Sequence, residues 1–175
     1  NNILKEKNVL INQQKEEIET QTESIKKANE TITEKNKTLN DKNNLITFSI
    51  KYAKRIQDAL LSDINLLKEN FTDSFIFFRP RNIVSGDFYW FKHTENCTLF
   101  AVVDCTGHGV PGAFMSMLGI AFLNEITGKK IYQPNLILEE LRKNIKISLK
   151  QKGEINEQKD GMDMALCTYN TENSE

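Results

Sequence analysis

Glycine and proline are absent from a long stretch at the start of this 175-residue chain. The first proline is Pro80 and the first glycine is Gly86, so all eight glycines and all three prolines lie in the second half. Nothing before residue 70 interrupts a helix. Uninterrupted apolar runs are also short, none nearing the roughly 18 residues of a membrane span, and no basic segment precedes a short apolar stretch as in an export signal. The reading is a soluble cytoplasmic chain with no membrane contact within the fragment, or the cytoplasmic part of a membrane-anchored sensor. Charge of one sign is lacking too: the formal net charge is −1, balanced in both halves, without the basic footprint that nucleic-acid binding requires. Cysteine is scarce and odd in number. Cys97, Cys105 and Cys167 have no CxxC spacing, which argues against a disulfide framework or a zinc site and for a reducing compartment.

What the first half does have is a repeat of seven. Leu4, Ile11, Ile18, Ile25, Ile32, Leu39 and Ile46 recur at heptad spacing, and Ala53, Leu60 and Leu67 continue the series. With these at d, the a positions read Asn8, Lys15, Thr22, Asn29, Asn36 and Asn43, then Ile50, Gln57 and Ile64. Buried a-position asparagines lower stability but favour a two-stranded parallel register. We expect a parallel homodimer through residues 1–67, with coiled coil over 1–47 and a linker or regulatory helix over 48–70. At about 1.5 Å per residue the first 46 residues span on the order of 70 Å, a rod that cannot bury its own seam. An inert spacer and a signal-transmitting stalk both fit this pattern. The stalk reading rests on the broader apolar face of Ile50, Ala53, Ile56, Leu60 and Ile64, with a break and new cap at Ser62-Asp63.

The second half reads as α+β. Ser74–Phe78, Phe88–Phe91 and Leu99–Val103 are expected strands. Val110–Thr127 is an expected helix with Pro111 in its first turn, an apolar face of Phe114, Met117, Leu118, Ala121 and Phe122, near-complete burial and closure at Gly128. A further helix is expected over Leu136–Lys150, with Leu138, Leu141, Ile145 and Leu149 on one face and Gly153 beyond its end. A polar loop over Glu154–Lys159 and a strand over Met162–Tyr169 follow. The stop at Thr171–Glu175 reads as a truncation.

The chemistry-bearing residues are two acids at the ends of apolar strands, in Ser85-Gly86-Asp87-Phe88-Tyr89-Trp90 and Val103-Asp104-Cys105-Thr106-Gly107-His108-Gly109. A tight turn at Glu95-Asn96 puts Asp87 opposite Asp104. Like charges on facing strand positions repel, so a cation belongs between them. Carboxylate oxygens without a His/Cys cluster favour Mg²⁺ or Mn²⁺. The alternative is that both are turn or cap residues, since Asp beside Gly commonly marks turns. Gly107 and Gly109 read either as flexible residues leading into a helix or as backbone approaching a phosphate at its N-terminus.

Two long segments, Arg79-Pro80-Arg81-Asn82-Ile83-Val84-Ser85-Gly86-Asp87-Phe88-Tyr89-Trp90 and Asp104-Cys105-Thr106-Gly107-His108-Gly109-Val110-Pro111-Gly112, resemble those of SpoIIE-type serine phosphatases in the PPM (protein phosphatase 2C-like) superfamily. The resemblance covers about Phe71–Glu175. It implies the N-terminal part of a PPM-type α-β-β-α sandwich, truncated here, preceded by a long coiled-coil helix. It also implies two Mn²⁺ or Mg²⁺ ions and hydrolysis of phosphoserine or phosphothreonine on a protein such as an anti-sigma-factor antagonist, by in-line attack of metal-activated water. Asp87 and Asp104 match the family's first two acidic metal positions, and Cys105 the backbone-carbonyl ligand. The remaining acidic ligands lie beyond the chain end. His108 stands four residues after Asp104 rather than two as the general-acid histidine does in the eukaryotic branch, so an acid role and a structural role at the helix start are both open. Arg79 and Arg81 suit phosphate by chemistry alone, and Arg81 is the phosphate-binding candidate. No catalytic role is assigned to Asp160 or Asp163. A non-catalytic dimerisation and partner-binding scaffold is the alternative function.

Overall fold

The computed structural model describes residues 2–71, 73–152 and 160–170. The chain divides into two compact units, Asn1–Phe48 and Ser49–Glu175. Helix α1 runs over Asn2–Leu60, as the lack of glycine and proline dictates. Within the first unit the d positions are open to solvent, from Ile32 at 54% exposed to Leu4 at 65%. The helix stops at the expected break, and Asp63 caps α2 (Ile64–Asn70) by accepting a hydrogen bond from the Asn65 N–H at 2.9 Å.

The second unit is built on an antiparallel sheet of three strands in the order β1 (Phe88–His93), β2 (Cys97–Cys105) and β3 (Met162–Asn170). The Phe88↔Val103 to His93↔Thr98 register carries the hairpin around Glu95-Asn96, closed by the Thr94 N–H on the Cys97 carbonyl. Ser74–Phe78, expected as a strand, enters no ladder among the described residues. Its outward phenylalanines, Phe75 and Phe77, are 89% and 83% exposed, because apolar alternation makes a strand only where a neighbouring backbone offers partners.

Helices α3 (Gly109–Gly128) and α4 (Pro134–Ser148) cover one sheet face, whose core includes Phe88, Trp90, Leu99, Ala101, Val103 and Cys105. The expected apolar face of α3 is corrected: Phe114 is 65% exposed, while the buried stripe runs through Gly112, Ser116, Gly119, Ile120 and Leu123. Small residues let the helix sit directly on the strands; a Cβ on Gly119 would stand 2.9 Å from Met162 Cε and 3.0 Å from Phe88 Cζ. Averaged over 18 residues α3 is apolar enough to cross a membrane, which a search for unbroken runs overlooks because Ser116, Asn124 and Glu125 interrupt it. It ends at Gly128, as expected, and Lys130 (φ 62°) just beyond it takes the left-handed conformation. Along α4 the buried residues are Ile137, Leu141 and Ile145, whereas Leu138 is partly exposed. The sequence expectations for Gly153, Glu154–Lys159 and Thr171–Glu175 lie outside the described residues.

Candidate functional site

Asp87 immediately precedes β1 and Asp104 is the penultimate residue of β2. Because Phe88 pairs with Val103, the next step of the register brings the two acids side by side. Partial burial of its carboxyl, although the residue as a whole is exposed, raises the Asp87 pKa above the ordinary carboxylate value. The hydrogen bond with Asp104 and the charge of Asp104 push it the same way. On the other side of β2, Asp104 is in register with Asp163 of β3. Both are exposed, and they line a cleft of about 410 Å³ together with Cys105, Thr106, Gly161 and Met162.

What holds Asp87 in place is backbone packed on backbone. A Cβ on Gly86 would stand 2.8 Å from the Gly107 carbonyl oxygen, and one on Gly112 only 2.6 Å from that same atom. The Gly107 carbonyl is thus wedged between the residue before Asp87 and the first turn of α3, a fit that only glycine permits at both positions. Gly107 (φ 86°) and Gly109 (φ 63°) supply the left-handed turns that bring the chain from Asp104 into that helix.

A buried amide braces the same loop from α1. Gln57, 2% exposed, accepts the Ser85 N–H at 3.0 Å and donates at 2.7 Å both to the Ser85 carbonyl and to Ser116 Oγ. Thr106 does the equivalent on the β3 side. Its hydroxyl donates to the Gly161 carbonyl at 2.7 Å and accepts the Gly161 N–H, tying the Asp160-Gly161 turn to the end of β2. Neither role was read from the sequence. The signal for Gln57 was present, a lone polar side chain at a seam position between Ile50 and Ile64.

The other candidates separate. The side chain of Cys105 belongs to the core, its thiol pushed up to about 12 by burial and then by the charges of Asp104 and Asp87. Only its carbonyl faces the loop, 3.3 Å from where a Cβ on Gly86 would stand. His108 is exposed at the N-cap of α3 and its side chain makes no capping hydrogen bond. Arg81 is exposed on the segment leading to Val84. Among the described residues no group of three or more His, Cys, Asp or Glu side chains gathers into a metal-binding cluster. Carboxylate oxygens such as those of the neighbouring Asp87 and Asp104 are donors of the kind hard divalent cations take.

No family model and no curated protein matches this chain. Among solved structures it is similar to the SiaA-PP2C domain of Pseudomonas aeruginosa, with a TM-score of 0.61 and 35% identity over 71% of this chain. The chain spans about half of that structure, 48% of its length. That likeness supports a PP2C-like, PPM-type fold for this chain, with a long helix at its start.

Proposed function

We propose that this chain carries the N-terminal part of a metal-dependent protein serine/threonine phosphatase that acts as the output module of a cytoplasmic signalling protein, of SpoIIE type. The observation that carries the reading is the β1–β2 register, which places Asp87 beside Asp104 at the ends of neighbouring strands. Two acids kept together by a glycine wedge and a buried glutamine are costly unless a cation joins them. Asp87, Asp104 and the Cys105 carbonyl would hold divalent manganese or magnesium. When bound, such ions lower the pKa of a ligated water and neutralise charge on a phosphoryl group. The chain's own contribution is to fix the donors. Gln57 orients the Ser85-Gly86 backbone, Gly107 and Gly109 turn the chain towards the α3 N-terminus, where N–H groups suit an anionic phosphoryl group, and Arg81 supplies a cation for it. The substrate class is a phosphoserine protein such as an anti-sigma-factor antagonist.

Residues 1–67 would pair with a second copy in parallel, since the solvent-facing seam of Ile11, Ile18, Ile25 and Ile32 needs a cover and the a-position asparagines favour two strands. A second reading is a non-catalytic dimerisation and partner-binding scaffold with a phosphatase-like fold. Calorimetric titration of the chain with Mn²⁺ separates the two. Binding that is lost in Asp87→Asn and in Asp104→Asn supports the phosphatase site, and equal heats in all three proteins support the scaffold.

A further inference from the structure

The heptad face of α1 is not free along its whole length. From Leu4 to Ile46 every d residue is more than half exposed. Those seven side chains offer on the order of 400 Å² of apolar surface per chain, and the stems of flanking side chains bring a pair within reach of the roughly 800 Å² per partner of a stable interface. Two identical strands in register set like on like, asparagine on asparagine at a and isoleucine on isoleucine at d. An antiparallel pair sets Asn29 against Ile18 instead. The flanks fit the parallel register as well. Lys7, Lys35 and Lys42 at g meet Asn12, Asn40 and Thr47 at e of the second copy, so these lysines face no like charge.

Past residue 48 that face has another neighbour. The second unit starts at Ser49, and within it the a residue Gln57 is 2% exposed, its amide bonded to both backbone groups of Ser85 and to Ser116 Oγ. Ile50 and Ala53, the a and d residues of the preceding heptad, are half-buried too. One helix face holds one neighbour. A second copy that kept the seam beyond Ile50 would displace Gln57 from Ser85 and leave the Ser85 N–H and carbonyl without their partner in a buried site. In return it would gain a glutamine layer, polar like the asparagine layers before it.

We infer that a second copy of this chain pairs in parallel through Leu4–Ile46 only, and that the pairing ends before Ile50, where each α1 gives its seam face to its own Ser85 and Ser116. That boundary rests on the homodimer reading of the repeat, and shortens the pairing from residues 1–67. It follows from a face already taken inside the second unit and requires no open surface there.

Oxidative crosslinking of the full chain through a cysteine placed at one d position at a time tests this. Cys97 and Cys105 are buried, and the exposed Cys167 is replaced by serine. Facing d residues of a parallel pair lie within the roughly 7 Å that a disulfide can bridge. We expect Leu39→Cys to crosslink nearly completely and Ala53→Cys hardly at all. Because Ala53 is half-buried, circular dichroism checks that variant's fold, and Leu60→Cys repeats the question at a position 41% exposed, with the same near-absence of crosslink expected. Crosslinking at 53 or 60 to the extent seen at 39 overturns the boundary and keeps the dimer. The dimer reading fails separately. Sedimentation that finds only single chains overturns it, as does a two-chain species in which Leu39→Cys does not crosslink, the mark of antiparallel pairing. A species of three or four chains overturns both.

Discussion

The two units of the chain engage their apolar and small residues in opposite ways. Along the first unit the largest apolar side chains face solvent, every d-position residue being more than half exposed. In the second unit the closest contacts are made by residues with no side chain, since Gly86 and Gly112 lie where a Cβ would stand under 3 Å from the Gly107 carbonyl. A seam of side chains is finished by whatever presents a matching seam. Backbone wedged on backbone is finished within the fold and tolerates almost no change. Apolar periodicity therefore says which face needs cover, while the precise part of the molecule is precise through absent atoms.

That contrast breaks most sharply at Gly112. Gly112→Ala forces a methyl group against the Gly107 carbonyl and should destabilise the second unit by about 3 kcal/mol, seen as a lower denaturant midpoint. A variant as stable as the parent would show that the wedge is not tight. Gln57→Leu is next. It keeps the volume roughly constant but leaves the Ser85 N–H without its partner in a buried site, at a cost of about 2 kcal/mol. Because Ser85 lies two residues before Asp87, the same variant should weaken Mn²⁺ binding, a readout that simple loss of packing elsewhere does not move.

In the first unit the expected effects are smaller and depend on concentration. Ile32→Ala should cost the proposed dimer about 1.5 kcal/mol per chain and shift the monomer–dimer balance in sedimentation. The denaturation of residues 49–175 should stay where it was. Coupled loss of both would mean that the seam is covered in some other way.

The legible parts of the fold were those carried by period and punctuation. The long helix, the recap at Asp63 and the hairpin register followed from residue spacing and turn chemistry, and so did the adjacency of Asp87 and Asp104. What escaped were choices made by tertiary contact. α3 is apolar almost all round, so hydrophobicity offered no reason to prefer the Gly112–Ser116–Gly119 stripe over the Phe114 side; the need to seat a helix on Phe88 and Met162 made that choice. Ser74–Phe78 has the composition of a strand but lacks a neighbouring backbone among the described residues. Gln57 looked like one more polar interruption of a seam, and its meaning is set by Ser85 and Ser116, 28 and 59 residues away. Asp163 could be placed only once β3 had a register against β2.

The smallest predicted effect is the most discriminating, because its sign decides between two roles for Asp87. If Asp87 is a turn or cap residue, Asp87→Ala removes a hydrogen bond to backbone and costs about 1 kcal/mol. If it is half of a carboxyl pair awaiting a cation, then in chelator the same change removes a like-charged neighbour from Asp104 and stabilises the chain by about 0.5 kcal/mol. The gain should shrink as salt screens the pair, whereas a lost cap is indifferent to ionic strength. Denaturant midpoints of the parent and Asp87→Ala chains at low and high salt, both in chelator, read the sign directly. A variant less stable than the parent at both salt concentrations would make Asp87 a structural residue and remove the carboxyl pair on which the proposed site stands.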